Sequence, residues 1–343
     1  MSMHSLGEKM STAEQIKNKL EANADRVDAF ISKTLFDGSP DELYDAVRHI
    51  MESGGKRLRP YLTVKTCELF GGSSDIAIPF ASAMEMLHNF TLIHDDVMDH
   101  DELRRGKPTV HKKFGTPMAI LAGDLLYTKV FQIFSRHVPT ELSAEELIKI
   151  IQRTTDATVL LCEGQALDIL YPKSTDINEE DYLLMVGGKT SALFSSSAEV
   201  GAIVGGASDD ERLAISKFAW DAGIAFQIVD DILGISSTEK ELGKPIGSDI
   251  LEGKKTIIII HALQNSNQEQ RAKILKVLGR GKSSEKDLEL AIKTLYETGA
   301  INYARKLAKE YLDSSLSMIE PFPDSEAKQE LKNLVKYFVE RRY

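Results

Sequence analysis

The 343-residue chain is long enough for one large domain or two ordinary ones, and 42% apolar with 27% charged residues is the make-up of a globular protein. A net charge of −10 leaves no global basic field, so nucleic acid is not an expected partner and any polyanion must meet a local basic cluster. The two cysteines, Cys67 and Cys162, have no cysteine or histidine nearby at metal-ligand spacing, which speaks against a disulfide framework or a zinc site and fits a cytoplasmic protein.

Met1 to Met10 carries no apolar run, and stretches such as Met118 to Ala122 and Ile257 to Ile260 are far too short to cross a bilayer, so no signal peptide or membrane span is expected. Ala13 to Leu35 has apolar residues at helical spacing, with Ser11 or Thr12 placed as N-cap. Ser39-Pro40 opens a second helix that stops at Ser53-Gly54-Gly55, and a third runs from Tyr61 to Phe70. Ile76 to Asp99 is mostly apolar and reads as a central helix buried on several sides. Further helices are expected over Met118 to Arg136, Ala144 to Leu170, Glu179 to Val186, Thr190 to Val204 and Asp209 to Ser236. The remaining ones are Thr256 to Gln264, Asn267 to Leu278, Glu285 to Glu297, Ala300 to Ile319 and Asp324 to Glu340. The run Ile257 to Ile260 has strand propensity, but a lone strand would have no sheet to join, so it too reads as helix. No repeat, linker or composition break appears. The expectation is one all-α domain, residues 1–343, a helical bundle around a central catalytic cavity.

Two acidic motifs stand out. Asp95-Asp96-Val97-Met98-Asp99 ends the central helix, and Asp95 and Asp99, four apart, project from one face near the negative end of the helix dipole. Such a pair is costly unless a cation neutralises it, and magnesium suits it; taken alone, a solvated helix end fits equally well. Asp230-Asp231 lies in the apolar stretch Ile224 to Ile235, with Gln227 one turn before Asp231. Adjacent carboxylates in an apolar helix need compensation. Two such sites suggest facing carboxylate clusters with metal ions and a diphosphate between them.

Basic turns accompany each acidic pair. Gly54-Gly55-Lys56-Arg57-Leu58-Arg59-Pro60 sets three cations in a glycine-bounded turn, and Arg104-Arg105-Gly106 follows the first acidic motif. Lys189-Thr190 stands after Gly187-Gly188 at an expected helix start, and Gly243-Lys244-Pro245 and Gly253-Lys254-Lys255 flank Asp249. One basic turn reads as a solvated loop. A cluster beside each aspartate pair reads as a diphosphate site.

These motifs, with His88 ahead of Leu92-Ile93-His94-Asp95-Asp96, Gly164-Gln165 and Phe226-Gln227, occur in an order that resembles the trans-isoprenyl diphosphate synthases, the farnesyl and geranylgeranyl diphosphate synthase family, over essentially the whole chain. The resemblance implies a magnesium-dependent trans-prenyltransferase, with two or three Mg2+ ions per active site, that joins isopentenyl diphosphate to dimethylallyl, geranyl or farnesyl diphosphate. It implies that Lys56, Arg59, His88 and Arg105 hold isopentenyl diphosphate, while Arg104, Lys189, Lys244 and Lys254 grip the allylic diphosphate beside Thr190 and Gln227. Asp95, Asp99 and Asp230 would bind metal, supported by Asp96, Asp231 and Asp249 through hydrogen bonds or metal-bound water. A buried core histidine is the bland alternative for His88. Gly234 stands where the family often has a third aspartate, which implies weaker metal support.

Chain length should be set just before Asp95. Phe90 lies about 7.5 Å below Asp95 along the helix and is turned roughly 140° from it, so spacing does not place it in a tunnel. The resemblance does: an aromatic at Phe90 with none at Thr91 is similar to archaeal geranylgeranyl synthases, with Leu87 the next candidate. Farnesyl diphosphate and longer chains are the alternative products. The family also implies a homodimer, and the terminal Arg341-Arg342-Tyr343 either closes over the isopentenyl site or is a solvated end. A terpene cyclase would not need Lys56, Arg59 and His88, and a non-catalytic subunit would have lost aspartates that this chain keeps. An unrelated acidic helical binding module is the third rival.

Overall fold

The computed structural model describes residues 12–35, 37–236 and 246–340; Ser11, Gly243-Lys244-Pro245 and Arg341-Arg342-Tyr343, which carry sequence expectations, lie outside them. The first half holds α1 (Thr12–Thr34), α2 (Asp41–Met51), α3 (Leu58–Leu69), α4 (Ser74–Met98), α5 (Val110–Phe114), α6 (Thr116–Arg136) and α7 (Ala144–Leu170). The second holds α8 (Glu179–Val186), α9 (Ala192–Val204), α10 (Asp209–Ser236), α11 (Ser248–Glu252), α12 (Ile257–Asn265), α13 (Gln268–Leu275), α14 (Glu285–Glu297), α15 (Ala300–Ile319) and α16 (Glu326–Glu340). The protein is all-α, as expected. A hairpin of two-residue strands, β1 (Leu103–Arg104) and β2 (Lys107–Pro108), pairs Leu103 with Pro108 and Arg104 with Lys107.

Local chemistry explains most boundaries. Ser143 and Glu146 form a capping box at the start of α7, and Ser73 caps α4. Ile257 to Ile260 are all at most 3% exposed, so this run is helix buried on every side, which is why it shows no alternation. Two expectations need correction. α3 starts at Leu58 rather than Tyr61, because Pro60 sits in its first turn, where a missing N–H costs nothing. Gly187-Gly188 does not precede a helix start. The chain continues from α8 through a π-turn, Gly187–Ser191, into α9 without a break. A Cβ on Gly188 would lie 2.5 Å from the Leu160 carbonyl oxygen and 3.1 Å from Gly164 Cα, so this glycine marks a close crossing with α7.

α4, about 37 Å long, is wrapped by α1, α3, α6 and α9, while α10 packs along α9 and α15. Apolar clusters fill the α4–α6 region, the space among α10, α12 and α15, and the seam where α16 meets α3 and α9. Their shared frame sets Asp230 and Asp231 of α10 in a cavity, with the acids that end α4 within electrostatic reach of its lining. α4 and α6 are long and apolar enough to cross a membrane by length and composition; 72% of the α4 window is buried in protein but only 39% of that in α6.

Glu330 of α16 fastens that last helix. It is 5% exposed and accepts from Lys65 Nζ at 2.7 Å, from Tyr61 Oη at 3.0 Å and from Lys19 Nζ, joining α16 to α3 and α1. Burial pushes its carboxyl up, but the bonds from Lys19 and Lys65 prevail and hold it below its usual range. Its contribution is therefore present above the ordinary carboxylate pKa, about 4.3, and lost as pH falls through the lower folded value. Replacing it by Glu330→Ala leaves the buried Tyr61 hydroxyl without its acceptor and Lys65 with Glu68 alone, and should lower unfolding free energy at pH 7 by about 1–3 kcal/mol. Urea melts at pH 7 and pH 3 check both points: the gap between wild type and variant should narrow in acid.

Candidate active site

The cavity of ≈ 450 Å³ is lined by Lys56, Asp168, Tyr182, Lys189, Thr190, Gln227, Asp230, Asp231, Asp249, Lys254 and Lys255. α10 supplies one acidic wall. Asp231 is 7% exposed, and its two oxygens are taken by Tyr182 Oη at 2.7 Å and Gln227 Nε2 at 3.1 Å. Thr190 Oγ1 donates to Gln227 Oε1 at 3.0 Å, which extends the chain to the π-turn. Burial pushes the Asp231 carboxyl up to about 7, with Tyr182 opposing and Asp249 adding. A Cβ at Gly234 would lie 3.0 Å from Asp249 Oδ2, so the carboxylate of Asp249 stands beside the position the helix leaves without one.

The second wall ends α4. Asp99 N–H donates to the Asp95 carbonyl at 2.8 Å, and burial pushes the Asp95 carboxyl up to about 6, Lys189 opposing and Asp99 adding. Asp96 points the other way: fully buried, it accepts from Arg104 Nε at 2.6 Å and Nη2 at 2.5 Å on one oxygen, and its Oδ2 has no partner. Lys189, between the walls, donates to Asp168 at 2.5 Å, and Lys254 pairs with Glu252 at 3.1 Å and Asp249 at 3.8 Å. Burial opposes the charge on Lys254, but Asp249 and Glu252 outweigh it and raise its pKa.

The glycine-rich turn and the β-hairpin brace each other. Arg105, at φ 53°, donates to the Gly54 carbonyl and to Ser53 Oγ at 3.3 Å, and a Cβ on Gly55 would come within 2.8 Å of its guanidinium. Arg57, itself left-handed at φ 48°, is 4% exposed and donates to Glu85 at 2.7 Å, the Met51 carbonyl at 2.7 Å and Asp28 at 3.1 Å. Arg59 lies over the Phe194 ring at 4.4 Å, and Lys56 Nζ faces the Tyr337 ring at 5.7 Å. Burial, then Arg59, Arg105, Arg104 and Arg57 in turn, hold His88 well below its ordinary pKa, so it is neutral near pH 7.

Lys56, Lys189, Thr190, Gln227, Asp230, Asp231, Asp249 and Lys254 thus line one cavity, Asp95 and Asp99 lie within electrostatic reach of it, and His88 gathers Arg59, Arg104 and Arg105. Lys244 lies outside the described residues. Leu87 and Thr91 share the Asp95 face of α4, while Phe90 packs toward α6, 4.9 Å from His94 and 5.2 Å from Tyr127. Sequence reasoning counted Arg57 among the cations of its turn but missed its partner Glu85, and missed Asp168 and Tyr182. Asp168, one turn after Gly164-Gln165, was the one with a signal, its place beside that motif.

A family profile for polyprenyl synthetase matches residues 40–295. The geranylgeranyl diphosphate synthase of Sulfolobus acidocaldarius is 42% identical over 91% of this chain and 94% of its own length, and the geranylfarnesyl diphosphate synthase of Aeropyrum pernix is 38% identical over 88% and 95%. The crystal structure of geranylgeranyl pyrophosphate synthetase from Pyrococcus horikoshii superposes with a TM-score of 0.90 at 40% identity, covering 97% of this chain and all of that one. The chain belongs to the polyprenyl synthetase family. It is, accordingly, a trans-prenyltransferase.

The family uses divalent metal ions, and the donor set here fits one. The acids are hard oxygen donors, and burial, which raises the Asp95 pKa despite Lys189, disfavours a charge there that a bound cation would compensate. Among the described residues no three acidic, histidine or cysteine side chains converge on one point, which suits an ion that keeps waters and phosphate oxygens among its ligands.

The Gly164–Gly188 crossing sets the position of Lys189. A Cβ on Gly164 would overlap the Lys189 backbone nitrogen and come within 2.8 Å of Gly188 C, both backbone atoms. Gly164→Ala should displace the π-turn and cut turnover by about 100-fold, together with a fall in Tm. Initial rates and melting curves on the same preparation check this; wild-type turnover would show that the crossing does not place Lys189.

Proposed function

We propose that this chain, one domain over residues 1–343, condenses isopentenyl diphosphate head to tail with dimethylallyl, geranyl and farnesyl diphosphates and releases all-trans geranylgeranyl diphosphate. The observation that carries the reading is the pair of cation sets: Arg59 and Arg105 around neutral His88, and Lys56, Lys189 and Lys254 lining the cavity beside Asp230 and Asp231. Two anion positions at one cavity suit two diphosphate substrates. Asp95, Asp99 and Asp230 would hold two or three magnesium ions, with Asp96, Asp231 and Asp249 behind them, and bound Mg2+ would supply the charge that makes the allylic diphosphate a leaving group.

Lys189, Lys254, Lys244 and Arg104 draw negative charge off the departing diphosphate as its C–O bond breaks. Thr190, Gln227 and the carbonyls of the π-turn face the resulting allylic cation without bonding to it. Lys56, Arg59, Arg105 and His88 hold isopentenyl diphosphate so that its π-bond forms the new C–C bond, and the proton lost then passes to the released diphosphate. His88, neutral, donates a hydrogen bond and adds no charge. Phe90, packed on Tyr127, closes the α4–α6 side below Asp95 and ends chain growth. The alternative product is one isoprene unit longer, as the name of the Aeropyrum relative has it.

Labelled isopentenyl diphosphate with each primer and magnesium, followed by product chromatography, tests the reading. Chelator, Asp95→Ala and Asp99→Ala should each abolish turnover. Arg59→Ala should weaken isopentenyl diphosphate and Lys189→Ala the allylic substrate, each by roughly 1.5–3 kcal/mol. Phe90→Ala should lengthen the product; an unchanged product with a lower Tm would leave Phe90 as core and point to Thr91 or Leu87.

A cytoplasmic homodimer through α6 and α7 belongs to the same proposal. Ile120 and Leu121 on α6 and Val159 and Leu160 on α7 are 39–57% exposed. Leu121→Glu with Val159→Glu should shift sedimentation from dimer to monomer, and an unchanged sedimentation coefficient would remove these faces from the interface.

A further inference from the structure

Arg59 stands in the first turn of α3, half-buried, with its Nε wholly buried and without a hydrogen-bond partner. What faces its guanidinium is the ring of Phe194, 4.4 Å away. Phe194 is fully buried and is one corner of a closed aromatic triangle: its centroid lies 5.5 Å from Phe226 and 5.5 Å from Phe338, and those two are 5.1 Å apart. The corners come from α9, α10 and α16. The neighbour of Phe338, Tyr337, presents its ring to Lys56 Nζ. Lys56 and Arg59, two of the three cations of the glycine-rich turn, therefore rest on rings that α16 supplies or braces, although α16 contributes no residue to the lining of the cavity. The register of α16 on α3 is fixed two turns earlier by Glu330.

We propose that Phe338 is a positioning residue for the isopentenyl diphosphate site: by bracing Phe194 it fixes the Arg59 guanidinium, and with Tyr337 under Lys56 it makes α16 the outer support of that anion position. A planar cation on a ring face keeps its donors pointed sideways and its angle fixed, which a flexible arginine in open water does not do. Loss of the brace lets the Phe194 ring tilt and the fork move with it. The inference deepens the function proposed above and rests on it.

Phe338→Leu keeps apolar bulk and removes the ring, and Phe194→Leu removes the face itself. Each should raise KM for isopentenyl diphosphate by about tenfold while KM for farnesyl diphosphate and kcat stay within about twofold. The double variant should be no worse than Phe194→Leu, because the two act through one guanidinium. Tyr337→Leu, at the rim, should raise the same KM by a smaller factor and keep the wild-type Tm, which covers the case of a Phe338 variant that does not fold. Calorimetric binding of isopentenyl diphosphate alone separates the two readings. If wild type binds it but makes no product, the proposed function fails while the Phe338 effect on binding is still read directly. Equal rises in both KM values, or a lower Tm with isopentenyl diphosphate binding unchanged, would reduce Phe338 to core.

Discussion

Like charges crowded into poorly hydrated space set the terms for the rest of this molecule. Asp95 beside Asp99, Asp231 beside Asp230 and Asp249, and four arginines around one histidine would each be unstable alone; burial first, and the like charges after it, drive Asp95 and Asp231 upward and His88 downward. The fold interleaves them. Arg104 covers Asp96, Lys189 reaches between Asp168 and the Asp95 wall, and Glu85 answers Arg57 beneath the glycine-rich turn. What is left over is positive and negative charge facing one cavity, which suits a substrate that is a polyanion and a cofactor that is a cation.

Strain is placed where that interleaving needs it. Among the described residues the non-glycine positions with left-handed backbone are Arg57, His100 and Arg105, and the two arginines converge on the Gly54 carbonyl, Arg57 from within its own turn and Arg105 from the hairpin. Arg105 occupies the space a side chain on Gly55 would need, so the glycine is required by a neighbour as well as by its own φ of 135°. The π-turn serves the same end on the other side, since its wider turn carries Lys189 and Thr190 toward the cavity from inside a continuous helix.

The helical architecture was legible in the sequence because periodicity and caps are local: α7, α8, α10, α14 and α15 have the expected bounds. The acidic pairs and basic turns were legible as chemistry, since the fold brings most of them to one place. Three kinds of feature were not. Gly187-Gly188 reads locally as a helix break, and only the approach of α7 shows it to be a packing surface. The partners of buried groups, Tyr182 for Asp231 and Glu85 for Arg57, lie 49 and 28 residues away, with nothing in local spacing to pair them. The side of α4 on which Phe90 packs follows from the neighbouring α6, which the period of one helix does not reveal.

Glu330 meets Tyr61 across 269 residues and Lys19 across 311, so helices from the two ends of the described chain close on each other. During synthesis on a ribosome, α1 and α3 emerge long before the helix that completes their packing, and they must wait with an apolar seam uncovered. Contacts of such separation slow folding, because the whole intervening chain must be ordered before they form. The arrangement also delays function. Phe194 gains its Phe338 neighbour, and Lys56 the Tyr337 ring, only when α16 docks, so both acidic helices are synthesised before these two contacts can form.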